Sequence, residues 1–302
     1  MSKSLYDDLL FKLKEIKEQF SFLSAEPKKR DVIGRICKEF SKDHGPLAGE
    51  NLFRILNYCV FERKDTIGSL IQLMKRDDLM DSHTIEREKR DDFDGKFGTT
   101  TSPIINQFEM PETMTINRAL LTAKYTPSPI NSVRMALAAL QKYNVRYEDF
   151  VFIDIGSGLG RNLLLASAHP FKKIIGVEIS EYLNEIADKN IRAYLQRVAV
   201  YDNFELQSTD ALTYSFPCEN LVLYFWWPFV EELAIQFVDR LEKICMSRSF
   251  RVILVFMSWV YKSVEESSYF KRLGTFVTND ELHYNGKSNF SVIYFSNDLV
   301  IS

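Results

Sequence analysis

Residues 151–160, Val-Phe-Ile-Asp-Ile-Gly-Ser-Gly-Leu-Gly, constrain the fold more than any other stretch of the chain. The apolar run Val151, Phe152, Ile153 and Ile155 predicts a buried β-strand. Gly156, Gly158 and Gly160 then remove Cβ atoms, so the backbone can turn tightly and approach a ligand. Arg161–Ala168 predicts a helix whose free N–H groups suit a carboxylate or phosphate. Strand, glycine turn and helix in this order open a doubly wound α/β sheet. A dinucleotide site would need Gly-x-Gly-x-x-Gly, with its third glycine at position 161. Arg161 stands there, which disfavours a Rossmann dehydrogenase.

The glycines instead follow Asp154 in the spacing D-x-G-x-G-x-G. This pattern resembles the class I S-adenosylmethionine (SAM) methyltransferases, and the resemblance implies a Rossmann-like seven-strand sheet with SAM as cofactor. Later landmarks agree. Lys172–Glu178 predicts a second strand ending in an acid, 18 residues past Gly160. An acid at about that distance reaches ribose hydroxyls in a doubly wound sheet. Ile179 is then expected against the adenine. Phe204–Ala211 resembles the third element of the family, which places Asp210 at the adenine amino group and the Ala211 N–H at a ring nitrogen. The expected cofactor residues are therefore Tyr125, Asp154, Gly156, Gly158, Gly160, Glu178, Ile179, Asp210 and Ala211.

Tyr125 enters through a second resemblance. Asp94-x-x-Phe97-Gly98-x-x-Thr101 and Tyr125-Thr-Pro-Ser-Pro129 are similar to the lead-in of largely uncharacterised bacterial methyltransferases, in which this segment lies over the cofactor. Composition alone reads residues 87–101, charged and then rich in glycine and threonine, as a linker. Pro127 and Pro129 forbid helix before about Ile130. Ser128 is expected to cap a helix over Ile130–Tyr143. The combination also resembles, less closely, the non-SET protein lysine methyltransferases.

Residues 1–90 predict a helical extension and residues 91–302 the methyltransferase domain. Leu5, Leu9, Leu13, Ile16 and Phe20 form one apolar stripe. A second helix is expected from Asp31 to about Ser41, a break at His44-Gly-Pro46, and further helices over Asn51–Phe61 and Ile67–Met74. Such helices pack as core, cover the acceptor site or form an oligomer interface. Four scattered cysteines with no C-x-x-C spacing read as reduced thiols of a cytoplasmic protein and not as a zinc site. A net charge of −3 gives no overall basic field, so neither nucleic acid nor an anionic membrane is an expected partner. The N-terminus has no signal-peptide pattern, and the longest apolar runs are too short to span a bilayer.

The acceptor side is expected at the carboxyl ends of the fourth and fifth strands, Asn220–Phe225 and Arg251–Val260. Nucleic-acid and glutamine N-methyltransferases carry Asn/Asp-Pro-Pro-aromatic after the fourth strand. This chain has Trp226-Trp227-Pro228-Phe229, which counts against those acceptors and leaves protein amines, small amines and oxygen acceptors. Trp226, Trp227 and Trp259 are the expected acceptor-side residues, with Tyr261 as a further aromatic. They would hold a cationic amine by cation–π attraction or a flat apolar substrate. His283, on a hairpin joining the last two strands (Thr275–Val277 and Ser291–Phe295), is the candidate base. The expected activity is methyl transfer from SAM to a protein or small-molecule amine. The alternatives are O-methylation of a small aromatic substrate, or a SAM- or nucleoside-binding regulatory module without turnover.

Overall fold

The computed structural model describes residues 5–20, 26–57, 81–105, 124–228, 231–247, 250–257, 259–278 and 291–297. Contacts divide the chain into two compact units, Met1–Ser82 with Asn106–Leu120, and His83–Ile105 with Leu121–Ser302.

The first unit holds α1 (Leu5–Phe20), α2 (Glu26–His44) and α3 (Pro46–Asn57). The predicted stripe is its core: Leu9, Leu13 and Ile16 are buried with Ile33, Ile36, Phe40, Leu52 and Leu56. Helix α2 begins earlier than apolar periodicity suggested, because its first turn is polar and supplies no hydrophobic signal. Gly45, at φ 93°, separates α2 from α3 as expected. The helix expected over Ile67–Met74 lies outside the described residues.

The second unit starts within a helix described over 81–91 (α4), followed by the short α5 (Phe93–Phe97). Residues 87–101 are therefore not a linker. Their polar side chains bond inward, which composition cannot reveal. Next come α6 (Ile130–Ala139) with a 3-10 turn at Leu140–Tyr143, and then β1 (Phe150–Ile155). The chain continues through α7 (Arg161–Ala166), β2 (Lys173–Glu178), α8 (Glu181–Leu195), β3 (Phe204–Ser208) and β4 (Asn220–Phe225). It closes with α9 (Glu231–Ser247), β5 (Val252–Met257), α10 (Lys262–Glu265), β6 (Lys271–Val277) and β7 (Ser291–Ser296).

The seven strands form one sheet in the order β3-β2-β1-β4-β5-β7-β6. β1 to β5 are mutually parallel, and β7 runs antiparallel between β5 and β6. The order turns back between β1 and β4, where an α/β sheet opens its ligand crevice. All six residues of β1 are buried, as a central parallel strand covered on both faces requires. Alternation along the strands serves both faces. Phe152, Val222, Tyr224, Val255 and Tyr294 join the core under α6 and α7. Ile153, Leu223, Phe225, Leu254 and Phe256 join the core under α9. Edge strand β6 exposes Lys271 and Arg272, charges that discourage edge pairing.

Candidate active site

The glycine turn behaves as its spacing demands, and each glycine avoids a different collision. Gly156, Gly158 and Gly160 have φ of 78°, 52° and 82°. A Cβ on Gly156 would lie 2.7 Å from Pro228 Cβ, and one on Gly158 would overlap the Tyr125 ring. A Cβ on Gly160 would press on Ala187 of α8 at 3.1 Å, so this third glycine serves helix packing.

Glu178 ends β2 and reaches into the turn. Its Oε2 accepts from the Gly158 N–H at 2.9 Å and its Oε1 from the Ser180 N–H at 3.0 Å. Asp154 is fully buried beneath the turn. The Asn162 amide donates to its Oδ2 at 3.1 Å, whereas Asp154 Oδ1 and Ser157 Oγ are buried with no hydrogen-bond partner. Burial, with the nearby Glu178 charge, raises the Asp154 pKa well above the carboxylate range despite the Asn162 bond. After β2 and β3, Ile179 and Ala211 are half-buried, and Asp210 Oδ1 accepts from the Leu212 N–H at 2.9 Å.

The Tyr125–Pro129 segment is fastened residue by residue. Tyr125 donates its hydroxyl to the Thr101 carbonyl at 2.7 Å and pairs with Ile105 in a two-residue antiparallel bridge. The Trp226 indole N–H donates to the Thr126 carbonyl at 3.0 Å. Arg87 donates to the Pro127 carbonyl at 2.5 Å and Arg161 to the Ser128 carbonyl at 3.1 Å. Ser128 does not cap α6: its hydroxyl bonds Asn162, and Pro129 takes the N-cap position.

Sequence reasoning used Arg161 only to exclude a dinucleotide site. In the structure it is a buried hub. Its guanidinium holds Glu88 through two parallel bonds of 2.8 and 2.6 Å. It also donates to Thr101 Oγ1 at 2.9 Å and Ser102 Oγ at 3.0 Å, and lies 5.3 Å from the Phe93 ring centroid. Burial opposes its charge, but the bonds to Glu88 and the surrounding acids raise its pKa. Asp94 organises the same loop, accepting from Thr99 Oγ1 and from the Thr101 and Ser102 N–H groups. Burial pulls the Asp94 pKa up, and these bonds outweigh it and lower it. The repeated hydroxyls of 99–102 were the one available signal for this network.

The structure separates the three tryptophans. Trp226 is half-buried against the core under α6, with its indole N–H committed to Thr126. Trp227 and Trp259 follow the ends of β4 and β5 and are 43 % and 57 % exposed. Their rings meet edge to face at 6.4 Å and 87°. Trp227 has φ 50°, a left-handed conformation unusual for a bulky residue. Tyr261 does not join this pair; it is buried against Phe256. His283 lies outside the described residues. A groove of about 390 Å³ along the starts of β1–β3 is lined by Ile175, Glu205, Gln207 and Tyr214, and contains none of the expected site residues.

Comparison with known proteins fits this geometry. The family model "Histone methylation protein DOT1" matches residues 132–222, less than half of the chain. Comparison with curated proteins gives no match. Among solved structures, magnesium protoporphyrin IX methyltransferase from Synechocystis PCC 6803, with bound S-adenosylhomocysteine, is similar at 15% identity and a TM-score of 0.41, covering 56% of this chain and 83% of that one. An RNA methyltransferase from Salinibacter ruber in complex with S-adenosylhomocysteine is similar at 18% identity and a TM-score of 0.37, covering 59% of this chain and 97% of that one. At those identities and TM-scores neither structure carries weight here; the strand order and the turn carry the assignment. With the family match, they make the chain a SAM-dependent methyltransferase of the seven-strand class. The residues present fit the cofactor: a turn cleared of Cβ atoms, an acid at the end of β2, and a buried carboxyl with an unpartnered oxygen, suited to a ligand that carries an ammonium and a sulfonium. Among the described residues no group of His, Cys, Asp or Glu could hold a metal ion, and no helix is long and apolar enough to cross a membrane.

Proposed function

We propose that this chain methylates an amine, on a protein or a small molecule, presented at the carboxyl ends of β4 and β5. The observation that carries this reading is the exposed edge-to-face pair of Trp227 and Trp259. Trp227 sits in the loop whose Pro228 leaves no room for a Cβ on Gly156 of the turn. An exposed indole face attracts a cation, worth about 0.5–1 kcal/mol in water and about 2 when desolvated. Glu231 accepts from the Lys262 and Ser263 N–H groups and so ties the start of α9 to the segment that follows Trp259.

Bound SAM supplies a methyl group already activated on a sulfonium. The protein's task is therefore mainly alignment, so a dedicated acid–base pair is not obligatory. Glu178 would hold the ribose hydroxyls, Asp210 and the Ala211 N–H would read the adenine, and Ile179 would pack against it. The Gly156–Gly158 backbone, Tyr125 and Asp154 would hold the methionine end. Trp227 and Trp259 orient the acceptor, and the tied Trp226 fixes the loop that carries Trp227.

The test is methyl transfer from labelled SAM into a lysate, with mass spectrometry of the labelled products. Label on lysine or small-amine nitrogen supports the proposal. Label on oxygen of a flat aromatic compound would replace it with the O-methyltransferase reading. Tight SAM binding with no transfer would replace it with a regulatory module.

A further inference from the structure

We infer that Arg161 and Glu88 are positioning residues for the cofactor site, acting through Tyr125; the inference rests on the SAM-binding reading above. Arg161 occupies the first position of α7, where the helix dipole disfavours a cation. Its side chain is 1 % exposed and that of Glu88 7 %, so the pair also bears the desolvation cost of two buried charges. A buried pair of this kind is weak evidence for stability, since an apolar pair of equal volume often does as well. Its geometry instead serves placement. Arg161 grips Thr101 through the side chain, and the Thr101 carbonyl receives the Tyr125 hydroxyl. Arg161 also grips the Ser128 carbonyl, three residues past Tyr125. Glu88 completes the clamp by accepting from Ser102 Oγ at 2.9 Å, beside Thr101. Arg87, next to Glu88, holds the Pro127 carbonyl. Both strands of the Ile105–Tyr125 bridge are thus tied to the residue that follows the glycine turn. The result is one fixed position for the Tyr125 ring on Gly158.

The decisive variant removes both members of the pair together, Glu88→Leu with Arg161→Met, so that neither is left facing an absent partner; Arg87, which also bonds Glu88, keeps its bond to the Pro127 carbonyl. Affinity for S-adenosylhomocysteine is measured by calorimetry for the wild-type chain, this double variant, Tyr125→Ala and the triple variant, with thermal melts for each. The expected result is a double variant that melts near the wild type but binds about tenfold more weakly. Tyr125→Ala should bind comparably weakly, and the triple variant no more weakly than Tyr125→Ala alone, the non-additivity of residues acting as one unit. A double variant with wild-type affinity would overturn the inference and leave the cofactor reading intact. Fully additive losses would do the same. Should the double variant melt early, its affinity is measured at a temperature where the melt shows it fully folded; wild-type affinity there would make the pair structural only. Failure of the wild-type chain to bind S-adenosylhomocysteine would overturn the cofactor reading and this inference with it.

Discussion

The Tyr125 ring fills the place that a Cβ on Gly158 would occupy. The two residues lie 33 positions apart in the chain, and the contact closes the lead-in segment onto the centre of the glycine turn. Gly158→Val must therefore displace the ring and force a β-branched residue to φ 52°. Left-handed strain of this kind costs about 1–3 kcal/mol. The expected outcome is loss of S-adenosylhomocysteine binding with far-UV circular dichroism close to wild type. Unchanged binding in the valine protein would show the turn to be architectural only.

Glu178 has two tasks that one experiment separates. Its carboxylate bonds the Gly158 and Ser180 N–H groups, and in the proposed site it receives the ribose hydroxyls. Bonds to a charged group are worth roughly 1.5–3 kcal/mol. Glu178→Ala should thus weaken SAM about tenfold to a hundredfold. Replacing SAM by its 2′-deoxyribose analogue should cost the wild type much more than the variant. Equal losses in both would remove the ribose assignment.

Asp154 predicts a proton released on binding. Burial and the Glu178 charge raise its pKa in the folded chain. The native state therefore keeps a proton that the unfolded chain sheds near the ordinary carboxylate value. Its contribution favours folding at low pH and declines as pH rises through the window between the two values. A ligand carrying an ammonium and a sulfonium beside this carboxyl lowers its pKa again. SAM affinity should rise with pH across that window. Calorimetry in buffers of different ionisation enthalpy should show proton release in the wild type and none in Asp154→Asn. Proton uptake, or equal release in both, would contradict this.

The strands, the turn and Glu178 were legible because their signals are local: continuous apolar runs, glycines at fixed spacing, an acid at a strand end. The clamp was not. Glu88 and Arg161 are 73 residues apart, and only the folded lead-in brings them together. Ser128 misled for a positional reason. It stands one residue before the N-cap that Pro129 takes, so its hydroxyl turns to Asn162 instead. The tryptophans show a third limit. Sequence placed all three at the strand ends, but the direction of each indole depends on backbone angles that no pattern encodes. Trp226 turns toward the core, and the positive φ of Trp227 turns the next ring toward Trp259.

That positive φ yields the sharpest test of the acceptor site. A bulky residue held in the left-handed region stores strain, and such strain concentrates where function needs it. Trp227 is 43 % exposed, so removing its ring forfeits little burial. Trp227→Gly should relieve about 1–2 kcal/mol of left-handed strain, offset by about 0.4–1 kcal/mol from the flexibility that glycine adds to the unfolded chain. The melting temperature should stay level or rise by roughly 2–4 °C. Methyl transfer should nevertheless fall strongly, with kcat and kcat/KM lowered together and SAM affinity retained, because the lost contact acts on the acceptor in the transition state. Trp259→Ala should behave alike in activity, and Trp259→Phe should recover part of it through a weaker cation–π face. Trp226→Phe should differ from both: it leaves the Thr126 carbonyl without its donor and should loosen the segment carrying Tyr125, so SAM affinity falls with turnover. If Trp227→Gly is fully active, or if it melts several degrees below wild type, the ring is a structural element and the acceptor lies elsewhere on the sheet edge.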